Sequence, residues 1–301
     1  MQIKSKIAAF LLTFFITTSL GAQSADRFFF SGDGNIHLLN AKTGQKATIP
    51  YRQLDGTYPQ DKLLLINQIF DLPKNSSETI SLRLISLLDY LQDHLGGGII
   101  KIVSGYRSPE YNDGLRKNGR LAAKTSLHLE GMAADIAIEG VKGRGLWEFA
   151  RSLHCCGAGY YHGKGIHIDV GPSRFWDETS AKVDQNLGGH NKLILLRTNY
   201  DVYHPGETAH MVLGRITDYP IGIRPEGLLI KGDKEVGKIR ISEKNKDCLL
   251  LKNREEARSL SGTIPKDFQG HDTMQIQINF CEKKFPEMPE RALSNFILIK
   301  K

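Results

Sequence analysis

The sequence predicts an α+β protein, in which a first half that mixes helices and strands is followed by an all-β, sandwich-like second half. Leucines with helical spacing in residues 78–95, together with short apolar runs bounded by turns, indicate the mixed first half. Beyond residue 191 the pattern changes to short strand-like runs separated by Gly and Pro turns, with no strong helical pattern except around Glu255. Such a succession of short strands is typical of a β-sandwich.

The elements of the first half can be placed in chain order. Alternating apolar residues followed by a turn at residues 42–44 predict a β-hairpin within residues 28–50. Asn75 or Ser76 offers a cap for the leucine-rich helix, and Gly96 would end it. Helices are predicted at residues 61–70, 78–95 and 146–153, and buried strands at residues 99–103, 133–137 and 166–170.

The N-terminus has the pattern of a signal peptide. Lys4 and Lys6 precede an apolar run at residues 7–20, and small residues suited to cleavage follow it. The run is short for a membrane span, and an uncleaved anchor is the alternative. We expect an exported protein with a signal peptide at residues 1–24, a first domain at 25–180, a linker at 181–191 and a second domain at 192–301.

Three residues of the first half form a candidate metal-ligand set, namely His128, Asp135 and His167. Asp135 falls inside a predicted buried strand, where an unpaired carboxylate is costly. Two imidazoles and a carboxylate suit Zn²⁺, and three protein ligands with one open position are typical of a catalytic zinc site. The residue types alone leave an alternative open, in which a core histidine, a strand-end aspartate and a surface histidine are unrelated.

Four motifs in this part of the chain occur together in a fixed order. They are SGYRSP at residues 104–109, SxHxxGxAxD at 126–135, GYY at 159–161 and HIDVGP at 167–172. With these motifs the chain resembles the zinc peptidases that cut the stem peptides of bacterial peptidoglycan. That group has the hedgehog/D-Ala-D-Ala-peptidase fold, and the resemblance is closest to its murein endopeptidase K family. It covers about half of the chain, from about residue 27 to residue 176.

The resemblance implies roles for four residues. His128, Asp135 and His167 would bind one zinc ion per chain, and Arg107 would hold a substrate carboxylate or polarise the scissile carbonyl. For Arg107 the alternative is an ordinary solvated arginine in a turn. The implied function is a zinc metallopeptidase that hydrolyses cross-links or stem peptides of peptidoglycan. The alternatives are a D,D- or L,D-carboxypeptidase of the same fold, or a non-catalytic zinc-containing protein that binds the cell wall.

The general base is not assigned by the resemblance. Many relatives carry a Glu three residues before the last ligand, where this chain has Lys164, and another branch has a His where this chain has Gly165. Asp169 is one candidate, because strand alternation places it on the same face as His167. It could instead orient a ligand histidine by a hydrogen bond. His162, in a glycine-flanked loop, is the other candidate.

Composition agrees with a wall enzyme. Loss of Lys4 and Lys6 with the signal peptide lowers the formal charge from +7 to +5. This modest positive charge suits an anionic wall polymer and a periplasmic or secreted protein. It is too small and too spread for nucleic acid, and no aromatic–basic cluster typical of single-strand binders is present. We expect peptidoglycan as partner, with no stable membrane insertion after signal cleavage.

The second half contains no catalytic constellation, so we expect it to position the enzyme. Cys248 and Cys281 lie in different predicted strands and could form a disulfide. Cys155 and Cys156 are neighbours, and because a disulfide between neighbours is strained, we expect buried free thiols near the floor of the site.

Overall fold

A computed structural model describes residues 27–76, 78–118, 123–163, 165–181, 188–242, 247–268 and 272–300. Its buried hydrophobic side chains form two clusters, one between Ile36 and Val170 and the other between Leu196 and Ile299. We refer to described residues 27–181 as the N-terminal unit and 188–300 as the C-terminal unit. The predicted signal peptide and residues 182–187 of the predicted linker lie outside the described residues.

The N-terminal unit is built on one sheet. Its strands are β1 (Asn35–Asn40), β2 (Lys46–Pro50), β3 (Ile100–Ser104), β4 (Ala133–Ile138), β5 (Gly157–Tyr160), β6 (Ile166–Asp169) and β7 (Arg174–Asp177). They are arranged in the order β2-β1-β3-β4-β6-β5-β7. β1/β3 and β5/β7 are parallel, and the other neighbours are antiparallel. The predicted hairpin and the three predicted strands are therefore confirmed.

Helices complete the N-terminal unit: α1 (Gln60–Ile69), α2 (Leu82–His94), α3 (Pro109–Lys117), α4 (Gly143–Ser152) and a short 3₁₀ helix, η1 (Leu127–Glu130). The leucine stripe of α2 is buried, as predicted, because it packs into the hydrophobic core of the N-terminal unit. The predicted start of α2 was wrong. The helix begins four residues later, with Ser81 as N-cap in place of Asn75 or Ser76.

The C-terminal unit is β-rich, as predicted. Its strands are β8 (Leu195–Thr198), β9 (Val202–Tyr203), β10 (Thr208–Gly214), β11 (Ile221–Ile223), β12 (Glu226–Lys231), β13 (Lys234–Arg240), β14 (Leu249–Leu251), β15 (Leu260–Thr263), β16 (Thr273–Glu282), β17 (Arg291–Leu293) and β18 (Ile297–Ile299). One sheet has the order β15-β10-β8, and a second is organised around the long strand β16. A short helix, α5 (Arg254–Arg258), lies at the predicted place around Glu255.

The cysteines match the predictions, except that Cys155 is only partly buried. Cys248 and Cys281 form a disulfide, with a Cα–Cα distance of 5.8 Å. Cys155 and Cys156 are free thiols, and Cys156 is buried. None of the described helices is both long and apolar enough to cross a lipid bilayer.

Candidate metal centre

Three elements bring the predicted ligands together. Asp135 on β4 and His167 on β6 are direct partners in the antiparallel pairing, so their side chains project from the same face of the sheet. His128 lies in η1, immediately before β4. The turn between them requires Gly131, whose φ is +63° and whose added Cβ would lie 2.4 Å from the carbonyl oxygen of Thr79.

One donor atom from each residue points to a common centre. Oδ1 of Asp135 lies 3.0 Å from Nδ1 of His167 and 3.4 Å from Nε2 of His128, and the two ring nitrogens are 3.3 Å apart. All three residues are largely buried. Lone pairs at these separations repel one another unless a proton or a cation lies among them. The cluster can therefore hold a metal ion.

The remaining ring nitrogens have partners of their own. Nδ1 of His128 donates to the carbonyl oxygen of Gly105 at 2.7 Å. Nε2 of His167 donates to Oδ2 of Asp169 at 2.8 Å. Each hydrogen bond fixes the tautomer that leaves the inward-facing nitrogen unprotonated, as metal ligation requires.

Asp169 is the most enclosed carboxylate of the centre, with 0% exposure. Besides His167, it accepts hydrogen bonds from the backbone N–H of Gly171 and from both terminal nitrogens of Arg174. Burial acts to raise the pKa of Asp169, but His167 and Arg174 outweigh it and lower the pKa to about 2. Asp169 does share a face with His167, and it contacts the nitrogen that points away from the ligand cluster.

Charge is distributed unevenly over the three ligands. Burial lowers the pKa of His128. Burial opposes ionisation of Asp135, yet the two histidines hold the pKa of its carboxyl well below its usual range. For His167, burial acts to lower the pKa, but hydrogen bonds to Asp135 and Asp169 raise it overall. The centre thus combines a firmly ionised carboxylate with an imidazole, that of His128, held in its neutral form.

Arg107 is part of this centre and is not a solvated turn residue. Its Nη2 donates to Oδ2 of Asp135 at 2.7 Å and its Nε to Oγ of Ser104 at 3.1 Å, with only 11% of the side chain exposed. Its backbone N–H donates to the carbonyl oxygen of His128. Arg107 therefore donates its hydrogen bond to the carboxylate oxygen of Asp135 that does not face the two histidines.

The hydrogen bond that His162 makes does not involve the three candidate ligands. It is exposed, its Nε2 is 2.7 Å from Oδ1 of Asp177, and its ring packs on Tyr160. Lys164 lies outside the described residues. Gly165 has a φ of +104°, and an added Cβ would lie 2.1 Å from the carbonyl oxygen of Ile136. A histidine therefore cannot replace Gly165 without moving β4.

Two further residues, which the sequence did not identify as part of the site, lie beside the centre. The ring of Trp176 packs against His167, with centroids 5.0 Å apart. Burial and the charge of Asp135 raise the pKa of the Tyr161 phenol. Tyr161 belongs to the GYY motif, which was the available signal, whereas Trp176 reaches the centre through the parallel pairing of β7 with β5.

Comparison with known proteins identifies the family. A family model described as "Peptidoglycan L,D-endopeptidase MepK" (Peptidase_M15_2) matches residues 31–176. The Escherichia coli K12 protein "Peptidoglycan L,D-endopeptidase MepK" is 36% identical over 145 residues, which are 47% of this chain and 79% of that protein. The Haemophilus influenzae "Probable peptidoglycan L,D-endopeptidase MepK" is 31% identical over 140 residues, which are 46% of this chain and 75% of that protein.

A solved structure, the Bacteroides ovatus mixed-linkage glucan utilization protein SGBP-B, aligns with 34% of this chain and 20% of its own at 13% identity and a TM-score of 0.19, which is too low to bear on the fold. The matched segment contains all three candidate metal ligands and the elements that carry them, η1, β4 and β6. Through residues 31–176, the chain belongs to the peptidoglycan L,D-endopeptidase MepK family.

Proposed function

We propose that this protein is a zinc-dependent peptidoglycan endopeptidase that cuts L,D cross-links. The observation that carries the proposal is the convergence of His128, Asp135 and His167 at 3.0–3.4 Å in a member of this family. Ligands bound 2.0–2.1 Å from a tetrahedral zinc ion stand about 3.3–3.4 Å from one another, so the spacing supports zinc. The same family membership supports a hedgehog/D,D-peptidase fold for the N-terminal unit. The two sheets support a sandwich for the C-terminal unit.

His128, Asp135 and His167 would hold the zinc ion with three protein donors, the number found in catalytic sites. When bound, zinc would lower the pKa of a water molecule and polarise the scissile carbonyl. Arg107 holds the second oxygen of Asp135, so that Oδ1 alone faces the metal position, and its positive charge favours the oxyanion that develops on the substrate. The protonated phenol of Tyr161 is a second candidate donor to that oxygen.

For Asp169 we propose the orienting role. Its oxygens accept hydrogen bonds from His167, Gly171 and Arg174, and no part of it is exposed, so it is poorly suited to receive a proton from water. A carboxylate behind a ligand histidine also raises the basicity of that ligand. His162, exposed and paired with Asp177, is then the remaining candidate for the proton acceptor.

We also propose that the protein acts outside the cytoplasm on peptidoglycan. The Cys248–Cys281 disulfide supports an oxidising compartment, because such bonds are rare in reducing cytosol. The lysine-flanked apolar run at residues 4–20 supports export.

Digestion of purified peptidoglycan sacculi tests the proposal. The full-length protein, loaded with zinc, should reduce the L,D cross-linked muropeptides and increase the monomers, as measured by liquid chromatography and mass spectrometry. His128→Ala should lose nearly all of the activity, because it removes one of the three metal ligands on which the chemistry of the zinc depends. Loss of terminal residues without loss of cross-links would identify a carboxypeptidase. A zinc-loaded protein that binds sacculi without releasing products would identify a non-catalytic binder.

A further inference from the structure

Glu130 is a buried carboxylate that ends η1, two residues after the metal ligand His128. Its side chain is 4% exposed. Oε1 accepts from the backbone N–H of Arg215 at 3.1 Å, and Oε2 accepts from Arg254 at 3.0 Å and from Arg258 at 2.8 Å. All three donors belong to the C-terminal unit. Among the described residues, every hydrogen-bond donor to this carboxylate therefore comes from the C-terminal unit.

A second acid, Glu78, completes the network. Its side chain is 9% exposed, and it accepts from Nε of Arg254 at 2.9 Å and from Nη1 of Arg258. Two guanidinium groups of α5 are thereby matched to two carboxylates of the N-terminal unit. We call Glu78, Glu130, Arg254 and Arg258 the arginine clamp.

The clamp also holds the backbone of η1. Nη2 of Arg254 donates to the carbonyl oxygen of Leu129 at 3.1 Å, and Arg215 donates to Oγ1 of Thr125 at 3.1 Å. From the other side, the N–H of Ser81 donates to the carbonyl oxygen of Gly131 at 2.9 Å. The turn that carries His128 is therefore fixed between the start of α2 and α5.

The clamp is energetically sensitive because its acids are buried. The side chain of Arg254 is 44% exposed, but those of Glu78 and Glu130 are only 9% and 4% exposed, so loss of a guanidinium partner leaves a buried carboxylate less compensated. Without Arg254, Glu130 keeps Arg258 and the N–H of Arg215 but loses one of its two guanidinium partners, and the carbonyl oxygen of Leu129 in η1 loses its donor. Metal ligands must be held within about 0.5 Å of their working positions, so even a small movement matters.

We propose that the arginine clamp positions His128, so that the C-terminal unit is a structural part of the metal centre. This rests on the proposed zinc site, and it differs from the expectation that the second half only places the enzyme on its substrate. Glu78, Glu130, Arg254 and Arg258 are positioning residues, since none of them contacts the three donor atoms.

Zinc affinity of the full-length protein is the direct test. We expect Arg254→Gln to weaken zinc binding about tenfold, at the lower end of the range for residues that support a metal ligand. Competition with a chromophoric chelator gives the dissociation constant. The visible absorption of the cobalt-substituted protein, which reports ligand geometry, should change as well. Glu130→Gln has the same shape as the native residue and should act in the same direction if Arg254→Gln fails to fold.

Arg83→Gln is the matched control. The Arg83–Asp201 pair also joins the two units through a buried aspartate, with side chains 11% and 6% exposed against 44% and 4% for Arg254 and Glu130, but Arg83 belongs to α2 and does not contact η1. Both variants should lower the melting temperature, and only the clamp variants should lower zinc affinity. Zinc affinity within twofold of wild type in Arg254→Gln and Glu130→Gln would overturn the inference while leaving the zinc site intact. A wild-type protein without zinc affinity would overturn the proposed function and, with it, the inference.

Discussion

At the scale of single residues, Asp169 offers the clearest distinction between two roles. All of its hydrogen-bond partners are donors, namely Nε2 of His167, the N–H of Gly171 and two nitrogens of Arg174. In Asp169→Asn the amide NH₂ must face one of these donors. We expect zinc binding to weaken about 10- to 100-fold, because His167 loses its fixed tautomer. Chelator competition measures the change.

Arg174→Gln is the companion variant for this experiment. It removes two donors to Asp169 but leaves the contact with His167, and it should weaken zinc binding less than Asp169→Asn does. The opposite result for Asp169→Asn, lost turnover with unchanged zinc affinity, would assign Asp169 as the general base.

Asp89 gives a pH-dependent prediction away from the metal centre. It is fully buried in α2, and its Oδ1 accepts no hydrogen bond from the described residues. Burial, with smaller contributions from Asp93 and Asp33, raises the pKa of Asp89 to about 6. A raised acid pKa means that the stability contributed below about pH 4 is lost as the pH rises through 6.

Asp89→Asn should therefore stabilise the protein at pH 7.5 by about 1–2 kcal/mol, with a smaller gain at pH 4.5, where native Asp89 is protonated. Urea unfolding at the two pH values measures both differences. Asp233→Asn, in an exposed turn, serves as the control and should change neither. A gain that is equal at both pH values would contradict the ionisation of Asp89 as its cause.

The sequence predicted the residues of the centre better than it predicted their support. Strand alternation placed His167 and Asp169 on one face of the sheet. The pairing of Asp135 on β4 with His167 on β6 places the Asp135 side chain on that face as well. Glu130 and Arg254 are 124 residues apart, and no periodic pattern links them. Side chains of two units that meet in the folded protein leave no periodic pattern in the sequence. They stand out only as charged residues that are buried, and burial of a charged residue cannot be recognised from a single sequence.

At the scale of elements, the turn after η1 depends on Gly131. In Gly131→Ala the methyl group would meet the carbonyl oxygen of Thr79 at 2.4 Å, in addition to the strain of a φ of +63°. Gly96 has a similar φ of +56°, but nothing lies within 4 Å of its added Cβ. We expect Gly96→Ala to cost about 1 kcal/mol and Gly131→Ala about 3 kcal/mol or more.

Urea unfolding of the two variants gives the comparison, and zinc titration extends it. Only Gly131→Ala should weaken zinc binding, since Gly96 follows α2 at a distance in sequence from the ligand turn. Equal costs for both substitutions would mean that the turn yields to the methyl group, contrary to the close approach of Thr79.

Secondary structure was predictable wherever an element buries a periodic apolar face. The leucines of α2 and the apolar run of β4 are examples. The start of α2 was misplaced because Glu78 was read as part of its first turn, whereas this residue pairs with Arg254 and Arg258. Helix α3 was missed because it exposes most of its surface. Pro109 at its first position, with Ser108 as N-cap, was the available signal.

At the scale of the whole molecule, ion pairs join the two units that contain the two hydrophobic cores. Arg83–Asp201 and Arg27–Glu207 accompany the arginine clamp along the contact between the units. The change in composition near residue 191 predicted two parts, and the two buried clusters agree with that division. The change in composition did not predict ion pairs between the two parts, because such pairing depends on how the folded units meet. The boundaries at residues 180 and 192 remain predictions.

The disulfide has a consequence for the durability of this arrangement. Cys248 precedes α5, and Cys281 follows it, with a separation of 33 residues in sequence. The disulfide therefore closes a loop that contains Arg254 and Arg258. Cleavage of one peptide bond inside this loop by a protease would leave both fragments covalently joined. α5 would stay attached to the C-terminal unit whichever side of the cut it fell on. Proteolysis can thus break the chain near the clamp while the protein still retains the arginines, until the bridge itself is reduced.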